Sequence, residues 1–207
     1  MTDRVVLLHG LWNPRHVLWP LAARLRAAGF EVEAFGYGSV VVGAEAAAEQ
    51  LAAKLRLDAR QSKAPAHLVG HSLGGIVSLL AARDVELPAR RIVCLGSPLT
   101  GSSAARAVRE RGLGFSLGRS VEALQRGFER APEGREVGAI AGTLPVGFGR
   151  AFGAFDGPHD GTVSVAETRL PGIVDHCEVH ASHMGLLVSP VAAQATASFL
   201  RTGRFSG

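Results

Sequence analysis

Cysteine is scarce in this chain of 207 residues, lysine is nearly absent, and long apolar runs are missing. Its two cysteines, Cys94 and Cys177, cannot supply the disulfide framework of a small secreted domain; they fall in separate predicted strands and read as buried thiols of a reducing compartment. Lys54 and Lys63 are the only lysines, so the net charge of +4 comes mainly from arginine. Those arginines are scattered rather than gathered into a stripe, which argues against nucleic acid and leaves at most a transient attraction to anionic membrane surfaces. No apolar stretch reaches the roughly 20 residues of a membrane helix, so no transmembrane span is expected. The first apolar run, Val5 to Leu8, is too short for the core of a secretion signal, and the chain reads as cytoplasmic.

What is present suffices for one domain over residues 1–207, because a chain of this length that is 47% hydrophobic can bury a core without metal or disulfide support. Apolar runs alternate with helical patterns, the signature of an α/β fold with a mostly parallel central sheet and helices on both faces. Strands are expected over 5–9, 30–35, 66–69, 91–95, 137–141 and 174–179. Helical spacing joins Leu18, Leu21, Ala22, Leu25 and Ala28, with Pro20 near the start and Gly29 at the end. A second helix carries Ala44, Ala47, Ala48, Leu51 and Leu55, shorter ones are expected over 104–109 and 121–130, and Ser189-Pro190 opens the last. Residues 143–161 form a loop rich in glycine and phenylalanine.

The chemistry begins at Gly70-His71-Ser72-Leu73-Gly74, set between an apolar run and a small-residue helical pattern. This is the G-x-S-x-G turn that lifts a serine above a sheet at a helix N-terminus, with glycines where a side chain would strike the neighbouring backbone. A serine hydroxyl needs a base to take its proton, and the base needs a carboxylate to orient it. His183, just beyond the last predicted strand, is the expected base; His176 and His180 are assigned to the strand itself. Asp160, in His159-Asp160-Gly161, is the expected acid, with Asp156 as its competitor and Asp175 less able to reach His183 from within a strand. The N–H groups of Leu73 and of Leu11, after the first strand, are the expected donors to a developing oxyanion. His9 and His71 read as structural. A metal reading of His159, His176, His180 and His183 lacks ligand spacing, and neither metal nor cofactor is expected.

Taken together, H-G-L-W after the first strand, G-H-S-L-G-G at the turn, G-S-P-L-T-G-S, H-D-G-T-V-S and S-H-M-G-L-L resemble the α/β-hydrolase superfamily and, within it, small bacterial lipases and esterases. The resemblance implies an α/β-hydrolase fold, a triad of Ser72, Asp160 and His183, oxyanion donors Leu11 and Leu73, and cofactor-free hydrolysis of a small-molecule acyl ester. Too few residues separate Pro98 from the Asp160 loop for a large lid, although helices between Ser103 and Arg130 could form a small cap. No carboxylate set suggests the calcium site of larger relatives. Phe115, Leu117, Phe128, Phe148, Phe152 and Phe155 are candidates to line an acyl pocket. The residues are equally consistent with a thioesterase or acyltransferase, which share the acyl-enzyme, and a non-catalytic binding protein on the same fold is the remaining alternative. Nothing in the sequence fixes the oligomeric state.

Overall fold

The computed structural model describes residues 2–147, 155 and 157–205. Strands β1 (Arg4–Leu8), β2 (Glu31–Phe35), β3 (Ala66–His71), β4 (Ala89–Leu95), β5 (Val137–Gly142) and β6 (Asp175–Val179) form one sheet in the order β2-β1-β3-β4-β5-β6. All neighbouring pairs are parallel. Alternation along the strands feeds two cores. Val6, Leu8 and Leu68 pack beneath α2 (Ala44–Arg60) and α3 (Leu73–Ala81), whereas Val5, Leu7 and Val69 face α1 (Trp19–Ala27) and α7 (Pro190–Thr202). Cys94 belongs to the first core and Cys177 packs against the second. No helix among the described residues is long and apolar enough to cross a membrane.

Between β4 and β5 lie α4 (Ser103–Glu110), a 3-10 segment (Gly114–Ser120) and α5 (Val121–Arg126), with no large lid among the described residues. The helix expected over 121–130 stops at Arg126 because Gly127 turns the backbone at φ 62 and Phe128 N–H then bonds Leu99 O at 2.7 Å. A further short helix, α6 (Val165–Thr168), follows the Asp160 loop. From the centre of the sheet the chain adds β2 on one side of β1 and β4 to β6 on the other side of β3. The loops leaving β1 and β3 therefore part in opposite directions, opening a crevice at the carboxyl edge, where open parallel sheets hold their ligands.

Both lysines meet at one buried carboxylate: Asp58 on α2 takes Lys54 at 2.7 Å and Lys63 at 2.9 Å, along with Arg4 of β1 at 2.8 Å. Burial pushes the Asp58 carboxyl up, but the three cations outweigh it and hold the group well below the usual carboxylate range. A second titratable group lies in β3. The His67 ring is fully buried against the edge of Phe30, and burial, reinforced by Arg90 and only partly opposed by Asp3, lowers its pKa to about 4.

Because that folded-state pKa lies below the unfolded value of 6.5, the unfolded chain takes up the proton first as the pH falls. Stability should therefore be full above pH 6.5, fall through the window down to about 4, and level off for this group below it. The loss from His67 should be on the order of 3 kcal/mol. Urea midpoints measured across this range should show the decline, and His67→Leu should make it shallower, with His71 supplying much of what remains; a wild-type midpoint independent of pH over that range would contradict the argument.

Candidate active site

Ser72 stands between β3 and α3 with φ 54 and ψ −120, a left-handed conformation that a residue with a side chain adopts only under strain. Two glycines make the turn possible. A methyl group on Gly70 would lie 2.3 Å from the Gly74 carbonyl, and one on Gly74 would lie 2.4 Å from the Leu8 carbonyl oxygen. The Ser72 N–H bonds Leu95 O at 2.9 Å, tying the turn to β4. Leu73 begins α3, so its N–H points out of the first turn, where the helix dipole favours negative charge. Among the described residues neither Leu73 N–H nor Leu11 N–H has a hydrogen-bond acceptor. Gly10 brings the β1 loop against the serine; the position of a Cβ on Gly10 is 3.1 Å from Ser72 Cβ.

His183 and Asp160 meet as the sequence predicts. The His183 Nδ1–H donates to Asp160 Oδ2 at 2.7 Å, while Asp160 Oδ1 accepts the N–H groups of Thr162 at 2.9 Å and Val163 at 2.7 Å. Asp160 is fully buried, and its backbone carbonyl accepts His183 N–H at 2.8 Å, so the two residues are joined twice. Space for the pair comes from Gly96 at the end of β4: a Cβ there would sit 3.0 Å from Asp160 Oδ2 and 3.2 Å from His183 Nδ1. With Nδ1 donating, Nε2 of His183 keeps its lone pair. The Ser72 hydroxyl makes no hydrogen bond to His183 among the described residues, a separation common in unliganded sites that tighten around substrate.

His71 completes the link between the serine turn and the base. Its ring is buried, tilted against the His183 ring with centroids 4.6 Å apart, and its Nε2–H donates to the His183 carbonyl at 2.9 Å. Burial, with His183 adding to it, lowers the His71 pKa to about 3, so the ring stays neutral and keeps this bond. His9 holds the β1 loop instead: Nδ1–H donates to Gly10 O at 2.9 Å, Nε2 accepts Tyr37 N–H at 3.4 Å, and Tyr37 stacks on the ring at 4.4 Å. Tyr37 also donates its hydroxyl to His9 O at 2.6 Å, a support for the loop that the sequence reading missed.

A second missed residue is Glu167. It caps α6 through Ser164 and also accepts Ser103 N–H, joining the Asp160 loop to the start of α4. The S-x-x-E spacing of Ser164 and Glu167 is a capping-box signal that could have revealed the first of these contacts.

Some expectations fail or fall elsewhere. β6 ends at Val179, so His180 is an exposed residue beyond the strand rather than part of it; His176 is bonded to Thr168 Oγ1 at 2.8 Å. His159 stacks on Phe155 at 4.4 Å, and among the described residues no group of three His, Cys, Asp or Glu side chains could hold a metal ion. The described candidate acyl-pocket residues do not share one environment. Leu117 is buried in the core, Phe128 packs against it under the Arg83 guanidinium, and Phe115 is 80% exposed. Asp156, Phe148 and Phe152 lie outside the described residues.

Comparison with known proteins agrees with this architecture. The sequence model of the family described as "Alpha/beta hydrolase family" matches residues 5–200. Among solved structures, the chain is similar to a lipase of Bacillus licheniformis in its mature form, with 21% identity, a TM-score of 0.78, and 99% of this chain and 93% of that one covered. It is also similar to a monoacylglycerol lipase of Paleococcus ferrophilus, with 17% identity, a TM-score of 0.68, and 98% and 96% covered. A carboxylesterase of Bacillus subtilis shares 15% identity at a TM-score of 0.59, with 98% and 84% covered. No curated protein sequence matches the chain.

Proposed function

The chain belongs to the α/β-hydrolase family, and from that premise we propose that it is a serine ester hydrolase acting through an acyl-enzyme on lipophilic acyl esters. The observation that carries the reading is the buried 2.7 Å bond from His183 Nδ1–H to Asp160, formed beside a serine held in a strained turn at the start of α3.

In this reading the Ser72 hydroxyl gives its proton to Nε2 of His183 as its oxygen attacks the ester carbonyl carbon. Asp160 holds the ring in the tautomer able to accept that proton and stabilises the imidazolium that results. The negative charge on the former carbonyl oxygen falls between the N–H groups of Leu11 and Leu73. Collapse expels the alcohol, which takes the proton back from His183, and leaves the acyl group on Ser72. Water activated by the same histidine then attacks the acyl carbon and releases the acid. Every proton moves between named groups, so the reaction asks for no cofactor.

A panel of p-nitrophenyl esters from acetate to longer acyl chains tests the proposal, run beside acyl thioesters. We expect ester hydrolysis to be measurable, with kcat/KM rising as the acyl chain lengthens. Turnover of thioesters alone would shift the reading to a thioesterase, and no turnover of any acyl donor would favour the non-catalytic alternative.

A further inference from the structure

Most of the large apolar side chains that stand exposed are on one side of the molecule. Apart from Leu57 and Val85, they belong to loops or helix starts at the carboxyl edge of the sheet, around the mouth of the Ser72 site; Trp12, Val41, Leu113, Phe115, Met184 and Val188 are among them. Hydrogen bonds knit these loops into one surface. Trp12 Nε1–H donates to Ser116 O at 2.7 Å, Arg119 N–H to Val40 O at 3.0 Å, and Asn13 Nδ2 reaches Met184 Sδ at 3.8 Å. Trp12 is held there with φ 59 and 61% exposure. A bulky residue in that conformation is strained, and the strain presents an indole to solvent rather than to the core. Exposed large apolar side chains gathered on joined loops at one edge in this way are uncommon on a monomer and mark a contact site.

Among the described residues the charge around it is mainly positive. The loops 9–18, 36–43, 96–102, 111–120, 143–147 and 180–189 hold Arg15, Arg111 and Arg119 and no acid, and Asp160 in the neighbouring loop is buried. Within the cap-forming segment Arg106, Arg109, Arg111, Arg119, Arg126 and Arg130 outnumber Glu110, Glu122 and Glu129, and Arg126 pairs with Glu45 at the start of α2. Two copies pressed face to face would bring these arginines together, and a protein seated here would cover the crevice through which substrate must pass.

We propose that this face docks on the surface of an anionic phospholipid bilayer. Trp12, Val41 and Phe115 enter the interfacial region while the arginines meet lipid phosphates, so that the acyl ester reaches Ser72 from the lipid phase. The acyl-ester part rests on the hydrolase reading above; the docking does not.

Vesicle flotation of the full chain tests it, with vesicles of phosphatidylcholine alone and of phosphatidylcholine mixed with phosphatidylglycerol. The protein should float with the mixed vesicles, less so at high salt. Phe115→Ser should weaken that binding by roughly tenfold, since it removes one exposed ring that the interface would bury. Val41→Ser should weaken it too while hydrolysing soluble p-nitrophenyl acetate at the wild-type rate. Failure to float, or Phe115→Ser binding like wild type, overturns the proposal. Equal binding to both vesicle types overturns its anionic part, and a dimer that Phe115→Ser dissolves, without vesicle binding, assigns the face to a second copy. Vesicle binding without hydrolysis of any soluble ester would instead remove the hydrolase reading and leave the docking intact.

Discussion

Ser72→Ala should lower ester hydrolysis by on the order of 10⁵-fold and abolish labelling by a fluorophosphonate probe. The expectation rests on geometry particular to this position. Ser72 stands at the N-terminus of α3 in a left-handed turn, and its N–H is fixed to β4, so its side chain is presented at the carboxyl edge. Ser97 on the next loop is fully buried beneath Gly75 and cannot substitute. His183→Ala should cost roughly 10³-fold or more, because the serine then has no group to take its proton. The double variant should be no slower than Ser72→Ala, since residues that act as a unit do not add. Wild-type labelling in Ser72→Ala, or a double variant far below it, would show that the nucleophile is elsewhere or that the two residues act separately.

The sheet and the serine turn were legible because their signals are local. Short apolar runs marked the four inner strands to within about two residues, since parallel strands buried on both faces need near-continuous apolar sequence, and the more polar edge strands β2 and β6 were placed as closely. Ser72 announced itself through glycines whose missing side chains have an immediate steric reason. The His183–Asp160 contact, by contrast, was legible only through the order of motifs along the chain. What stayed hidden depends on contacts between distant segments. The Trp12 bond to Ser116, the Tyr37 cover over His9 and the Glu167 bond to Ser103 each join residues whose own neighbourhoods say nothing of the partner. The assignment of His180 to the last strand failed for a related reason: β6 ends at Val179, whose carbonyl accepts Thr143 N–H from the loop after β5, and the chain turns outward just beyond. The phenylalanines of the cap were candidates for a pocket on composition alone, and composition does not tell an inward ring from one facing solvent.

Asp160→Asn should reduce kcat by roughly 10²- to 10⁴-fold while leaving the fold intact. The amide oxygen of an asparagine can keep the Thr162 and Val163 N–H groups that Asp160 Oδ1 now accepts. That choice points the amide nitrogen, a donor, at Nδ1 of His183. Nδ1 must then accept, which moves the ring proton to Nε2 and leaves no lone pair facing the serine. Stability should change little, because each polar group still has a partner and no volume is lost; thermal unfolding should therefore separate this loss from misfolding. Asp156→Asn should behave like wild type in both measurements, because the carboxylate site beside His183 is already filled by a group bonded through both its oxygens and its backbone. Near-normal turnover in Asp160→Asn, together with a large loss in Asp156→Asn, would transfer the role to Asp156. Near-normal turnover in both would mean that His183 needs no carboxylate to hold its tautomer, and that its carbonyl bond from His71 and its backbone bond to Asp160 suffice to orient the ring.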